Sequence, residues 1–283
     1  MHRQRHAFIH FCAGIPLVWL GVVFIVPLLI SVVFSFGTNT FGGITFGFTL
    51  DNYRTALSGL YLAVLARTIA FAAGASFTCL VVAYPVAYFI AGRTGWQRTL
   101  CLVLILLPYF SSFLIRVMSL QILFSRDNIL DAWLQRLHFA TGPLDLINTP
   151  VAVLVGMVYA YLPIATVPIF LVLERIPPAL RDASRDLGAS YWQRFLTVTF
   201  PLSLPGVVTS ALLTIVPMLG ELVIPQLLGG GRGVLMGQII SSQYLQAQNY
   251  PLGASMAVIL MLIVGVLLHL SWWLGRRLEG RVR

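Results

Sequence analysis

Lysine is missing from this chain: all eighteen basic residues are arginines. A Walker-type phosphate loop needs its lysine on the β/γ-phosphates, and a Schiff-base enzyme needs a side-chain amine. Neither chemistry is open to this sequence, so any ATP hydrolysis must reside on another chain. Charge is scarce as well, at 10% of residues against about a quarter in a typical soluble domain. The three cysteines, Cys12, Cys79 and Cys101, stand in apolar runs without CxxC spacing. They read as small core residues, which leaves no metal site and no disulfide framework. HExxH, GxSxG and paired carboxylates within one apolar run are absent too, so no catalytic residue is assigned.

What is present is hydrophobic: 58% of the residues. Apolar runs near 20 residues match a hydrocarbon core of roughly 30 Å. Six such runs are read as membrane spans, at about 11–36, 65–91, 99–124, 150–173, 204–228 and 252–275. The first follows Arg3 and Arg5 but is too long for a signal-peptide core, so it is kept as an anchor. The expected fold is an all-α integral membrane protein, one transmembrane domain over 1–283, lying in the lipid bilayer. The net charge of +9 follows membrane topology and not nucleic acid binding. Arg93, Arg98, Arg175, Arg181, Arg185, Arg194, Arg276, Arg277, Arg281 and Arg283 join Arg3 and Arg5 on one side. By the positive-inside tendency that side, with both termini, is cytoplasmic.

Polar segments punctuate the spans. The 37–60 loop is too polar to cross and too short for a domain. The 125–149 loop carries Arg126, Asp127, Asp131, Arg136 and Asp145, with a short helix expected around 129–138. It reads either as a surface for a soluble outer-side partner or as a solvated connection. Gly229-Gly230-Gly231-Arg232-Gly233 is turn chemistry without a phosphate-loop lysine. Pro27, Pro85, Pro108, Pro163, Pro168, Pro217 and Pro225 lie inside spans and predict kinks or breaks.

The most informative segment is a charged island between the fourth and fifth spans, within a loop over 174–203. Glu174, Arg175, Arg181, Asp182, Arg185 and Asp186 gather there. Pro177-Pro178 suits a helix start, Gly188 a left-handed helix end, and Ser190 with Gln193 a capping box. The spacing predicts a helix over 179–187 with Ala179, Leu180, Ala183 and Leu187 on one side. The other side carries Arg181, Asp182, Arg185 and Asp186. A helix this short is marginal alone, so its apolar side is expected to lean on the membrane domain or on a partner. Tyr191, Trp192 and Phe195 supply interface-type anchors.

Inside the spans, Glu221 is the deep acidic residue. A carboxylate in the bilayer costs on the order of 2–3 kcal/mol and usually faces a cavity or a partner. Two readings stand: a cationic cargo passing Glu221, or a bond from Glu221 to a helix terminus or to Arg116. Tyr84, Tyr88, Tyr109, Tyr159 and Tyr161 are aromatics able to meet an ammonium through their faces, or else packing residues. Glu221, Tyr88, Tyr109 and Tyr159 are taken as the path candidates. His269 has no titratable company for a proton relay.

The island resembles the EAA loop of ABC importer permeases. Asp182-Ala183-Ser184 stands at Glu-Ala-Ala, Gly188 falls at the family's glycine, and Phe200-Pro201-Leu202-Ser203-Leu204-Pro205 follows. Leu50-Asp51-Asn52-Tyr53, Ala83-Tyr84-Pro85, Pro108-Tyr109-Phe110-Ser111-Ser112 and Gly220-Glu221-Leu222-Val223-Ile224-Pro225 are similar to the spermidine/putrescine branch. The resemblance implies a type I importer permease of the bacterial inner membrane with a cytoplasmic coupling helix. Asp182, Ala183, Ser184, Asp186, Leu187, Gly188 and Tyr191 would couple to a dimeric ATPase subunit that alone holds ATP. A second homologous permease and an extracytoplasmic binding protein complete the implied assembly, and this chain needs no cofactor. The implied cargo is a polyamine; iron(III), thiamine or aminophosphonate permeases share the pattern. A self-powered secondary transporter would need more intramembrane ionisable groups and leaves the island unexplained.

Overall fold

The computed structural model of the chain describes residues 2–40, 43–45, 47–125 and 146–282. The helix expected near 129–138, and the charges of that loop, lie outside the described residues. In order, the elements are α1 (His2–Ser35), β1 (Thr38–Thr40), β2 (Gly43–Thr45), α2 (Asp51–Ala56), α3 (Gly59–Ala91) and α4 (Gly95–Leu106). A 3₁₀ turn (Leu107–Phe110) leads into α5 (Phe113–Phe124), then α6 (Pro150–Glu174), α7 (Pro178–Asp186) and α8 (Tyr191–Arg194). A π turn (Phe195–Thr199) joins α8 to α9 (Phe200–Leu219), followed by α10 (Val223–Leu228), α11 (Met236–Leu245) and α12 (Tyr250–Val282).

Among the described residues, five helical stretches are long and apolar enough to cross a bilayer: Pro16–Ser35, Gly59–Ala91, Pro150–Glu174, Tyr191–Leu219 and Tyr250–Trp273. The expected third span is not one straight helix. Gly95–Phe110 and Phe113–Phe124 meet at 90°, so this pair is either a broken span or a re-entrant loop. Pro108 opens the break by removing a backbone donor, and Ser111 continues it in extended conformation. The fifth span also departs from its expected bounds. Its helix begins at Tyr191, ends at Leu219, and is interrupted before α10. Prolines alone do not break spans here, since α3 continues through Pro85 and α6 through Pro163 and Pro168.

Contacts divide the chain into two compact units. The first comprises Met1–Leu62 and Ile239–Leu262. Its polar knot explains the Leu50-Asp51-Asn52-Tyr53 stretch. Asn52 donates through Nδ2 to the carbonyls of Ser35 and Gly37 at 3.0 and 2.8 Å, and Ser35 Oγ meets Tyr53 Oη at 2.7 Å. Those bonds satisfy the carbonyl end of α1 as the chain leaves the helix. The antiparallel hairpin β1–β2 follows at once, in the loop read as too polar to cross and too short for a domain.

The second unit, Ala63–Gln238 with Ile263–Arg283, holds the larger core. One face of α3 carries Ala72, Ala75, Ser76, Cys79, Ala83 and Ala87, all buried, each with another of the set three or four positions away. Small residues at that spacing let helix backbones approach closely where lipid offers no hydrophobic drive between helices. Hydroxyls add polar links. Ser76 Oγ meets Thr214 Oγ1 at 2.7 Å, Tyr84 Oη meets Ser203 Oγ at 2.8 Å, and Ser210 Oγ donates to the Ala165 carbonyl at 2.6 Å.

α6 and α9 approach each other closely at Gly206. A Cβ on Gly206 would stand 2.9 Å from the Pro168 carbonyl oxygen and 3.1 Å from Ile169 Cα. Both neighbours are backbone atoms of a packed helix, so neither can swing aside. Gly206→Leu is expected to cost about 1–3 kcal/mol through overpacking and to lower the melting temperature in detergent by several degrees. Gly74→Ala, whose added methyl meets open space, serves as the control and leaves it unchanged within about 0.5 kcal/mol.

Candidate functional site

The charged island folds as its residues dictate. Pro177 is extended, Pro178 opens α7 at a position that needs no donor, and Ile176 is buried just before it. The helix closes with a double bond pattern: Gly188 N–H donates to the Arg185 carbonyl at 2.9 Å and Ala189 N–H to Ser184 at 3.1 Å. That Schellman arrangement requires a left-handed residue, and Gly188 supplies it with φ of +78°. The capping box then forms in full. Gln193 N–H donates to Ser190 Oγ at 3.3 Å, and Ser190 N–H donates to Gln193 Oε1 at 2.8 Å. α8 continues through the π turn into α9 with no residue left over as a linker.

The apolar side of α7 does not lean on this chain. Leu187 is 88% exposed, and Ala179, Leu180, Asp182, Ala183 and Asp186 are exposed too; Ser184 is partly covered. Tyr191 and Trp192 extend the exposed patch. Behind it stands an aromatic cluster: Phe195 lies 5.7 Å from Tyr84, 6.2 Å from Tyr88, 6.0 Å from Trp192 and 6.0 Å from Phe200 between ring centroids. Tyr191 Oη donates to Tyr88 Oη at 3.4 Å. An ion pair of Arg98 with Glu174 ties α4 to the end of α6 beside the island. The island is thus a patch of exposed apolar and charged groups on an aromatic base, the kind of surface that partners use.

The second site surrounds Glu221. It lies in the three-residue gap between α9 and α10 and is only 7% exposed. Three donors converge on its carboxylate. Tyr161 Oη donates to Oε2 at 2.6 Å, while the backbone N–H groups of Val223 and Ile224 donate to Oε1 at 3.0 and 3.4 Å. Of the two sequence readings, the helix-terminus bond is therefore realised. Glu221 also lines a cavity of about 520 Å³ with Tyr109, Ser111, Phe113, Arg116, Tyr161 and Pro217.

Arg116 is 8% exposed, yet its Nε and Nη1 meet no hydrogen-bond acceptor among the described residues. Its guanidinium lies 5.4 Å from the Tyr109 ring centroid and 5.8 Å from that of Phe113. The ion pairs among the described residues are Arg54–Asp51 and Arg98–Glu174, so Arg116 and Glu221 share a cavity without closing on each other.

The four path candidates therefore separate. Glu221 and Tyr109 come together. Tyr88 belongs to the aromatic base of the island, and Tyr159 is 40% exposed and lines neither site. Tyr161, the tyrosine that binds Glu221, is among the five aromatics named from the sequence but not among the path candidates taken from them. Two helical positions from Tyr159 is a turn of about 200°, so only one of the pair can face the cavity. The stripe Met157, Ala160, Tyr161 and Ile164 was the available signal.

Comparison with known proteins assigns the family. The family described as binding-protein-dependent transport system inner membrane component matches residues 83–283. The chain belongs to that family. It is 34% identical over 265 residues to the spermidine/putrescine transport system permease protein PotB of Escherichia coli K12, covering 93% of this chain and 96% of the relative. The corresponding Haemophilus influenzae protein is 30% identical over 268 residues, with 93% of each chain covered. Among solved structures, a chain of the bacterial alginate ABC transporter in complex with its pentasaccharide-bound periplasmic protein superposes with a TM-score of 0.77. That match has 14% identity and covers 98% and 96% of the two chains. A chain of the methionine transporter MetNI, in an inward-facing form, gives 0.58 at 19% identity, over 78% and 97%. The fold is thus that of the membrane subunits of type I ABC importers, and the chain is a multi-pass inner-membrane transport component.

The Tyr161–Glu221 bond carries a test of the site. Tyr161→Phe removes one donor to a buried charge and is expected to destabilise the chain by about 1.5–3 kcal/mol. A double-mutant cycle with Glu221→Gln in detergent unfolding should return a coupling of about 1 kcal/mol or more. Coupling indistinguishable from zero would remove the bond from the account.

Proposed function

We propose that this chain is the permease subunit of an ATP-driven importer for a polyamine of the spermidine/putrescine type. The observation that carries the cargo is the 34% identity to PotB over 93% of the chain. A buried carboxylate beside aromatic rings suits an ammonium. Tyr161 sits about halfway along α6, which supports a cavity at mid-membrane depth, where discontinuous helices build transport sites. The gap between α9 and α10 and the 90° break before α5 supply that discontinuity.

ATP hydrolysis lies on a separate ATPase dimer, consistent with a chain that has no lysine for a phosphate loop. Both termini and the island face the cytoplasm by arginine placement, and a second permease and an extracytoplasmic binding protein complete the assembly. Within it, α7 is the coupling helix. Asp182 and Asp186 offer negative charge, Leu187, Tyr191 and Trp192 offer apolar grip, and Gly188 sets the sharp turn. Closure of the ATPase displaces α7. Because the Schellman turn and capping box leave no slack, the push passes along α8 and the π turn into α9. At about 1.5 Å per residue the Tyr191–Leu219 stretch is roughly 40 Å long. Its far end is the Glu221 gap, so one lever joins the two sites.

Purification of the complex through a tag on this chain should bring down a stoichiometric ATPase, and cells should accumulate labelled spermidine in a way this chain is required for. Gly188→Asp places a side chain at φ of +78° and is expected to abolish uptake while the chain inserts at normal level. Normal uptake by that variant would end the coupling assignment. Failure of every polyamine to be taken up by the intact complex would end the cargo assignment alone.

A further inference from the structure

A transporter for multiply charged cations carries a specific hazard. Any site that attracts an ammonium also attracts protons and alkali cations, and an unoccupied acidic cavity at mid-membrane depth becomes a leak. The cavity around Glu221 contains a feature that the cargo reading leaves unused. Arg116 is buried on its wall, with Nε and Nη1 lacking acceptors among the described residues.

Hydrogen bonding and the helix dipole do not account for that placement. Arg116 N–H makes the first i→i−4 bond of α5, to the Ser112 carbonyl, so the side chain starts near the positive end of the helix dipole, where a cation is unfavourable. A buried guanidinium without acceptors costs more again. What holds it is the pair of aromatic faces. The 90° break before α5 brings Tyr109 from one side, and Phe113 lies one turn earlier on the same helix face. The guanidinium thus occupies an aromatic cradle open to Glu221's field, the environment that an alkylammonium would choose.

We infer that Arg116 is a tethered substitute for the cargo cation. It fills the Tyr109/Phe113 cradle and neutralises the cavity when no cargo is present, and it is displaced when an ammonium group of the cargo arrives. This rests on the polyamine reading above. The loose hold is what the role requires. Glu221 already takes Tyr161 and two backbone donors, so it is not sealed to Arg116 in an ion pair that cargo must break. One unit of positive charge at the wall repels small cations, while a polyamine brings several ammonium groups and competes successfully.

The test uses the complete complex in proteoliposomes, with potassium and spermidine as probes. Arg116→Met keeps length and apolar bulk but removes the charge. It is expected to raise nucleotide-independent potassium flux by roughly tenfold or more and to lower the KM for ATP-driven spermidine uptake several-fold. Arg116→Lys, which retains the charge, is expected to stay tight. Arg116→Gln, which loses the charge but keeps polar donors, carries the same expectation as methionine and covers the case in which the methionine variant fails to assemble. Assembled variants that are as tight as the parent, with KM unchanged or raised, would overturn the inference. Loss of uptake without any leak would do so too, since Arg116 would then serve transport in some way other than as a barrier to cations. A leak that appears in the charge-loss variants of a complex that takes up no spermidine would sustain Arg116 as a cation barrier and fell the cargo reading instead.

Discussion

Glu221 keeps a carboxylate inside an apolar bundle because three donors reach it from two elements. The Tyr161 hydroxyl comes from the middle of α6, and the first N–H groups of α10 come from beyond the gap. Each bond to a charged group contributes about 1.5–3 kcal/mol, enough together to offset an insertion cost of similar size. The gap itself follows from the same requirement. A continuous helix through 219–223 would have no free N–H groups to offer, so the break that ends α9 is the means by which the acid is solvated. Position of the acid, interruption of the span and depth of the cavity are one arrangement.

Close helix packing makes that arrangement rigid enough to transmit displacement. The α6–α9 contact admits no Cβ at Gly206, and the small-residue face of α3 holds its hydroxyls against α9 at Ser76 and Tyr84. Interiors packed at this density respond to a push as bodies and not as fluids. α9 therefore belongs both to the island, through α8 and the π turn, and to the polar cavity, through the residues that follow Leu219.

The legible parts of the sequence were those set by local chemistry. Pro178, Gly188, Ser190 and Gln193 specify a start, a left-handed stop and a capping box within a few residues of one another, and each forms as read. Apolar run length gave the long helices, because hydrocarbon thickness fixes it. The misses were relational. Tyr161 and Tyr159 have the same chemistry, and only the facing of α6 separates them. Arg116 reads as a span-end residue until the break at Pro108 folds Tyr109 back over it. Pro108 marks a kink or break there, as the structure has it, but its position does not say where Tyr109 then lies. Of the two supports expected for the apolar side of α7, the membrane domain or a partner, the exposed face of the helix leaves the partner: amphipathicity says which face seeks cover, not what supplies the cover.

The closure of α7 by bonds among its own neighbours has a consequence for biogenesis. Every bond in the Schellman turn and in the capping box links residues at most five apart, so this element needs no soluble protein to acquire its shape. A partner arriving from the aqueous phase meets a preformed knob and forfeits little conformational freedom of the host on docking. Recognition at this surface need not wait for the element to fold.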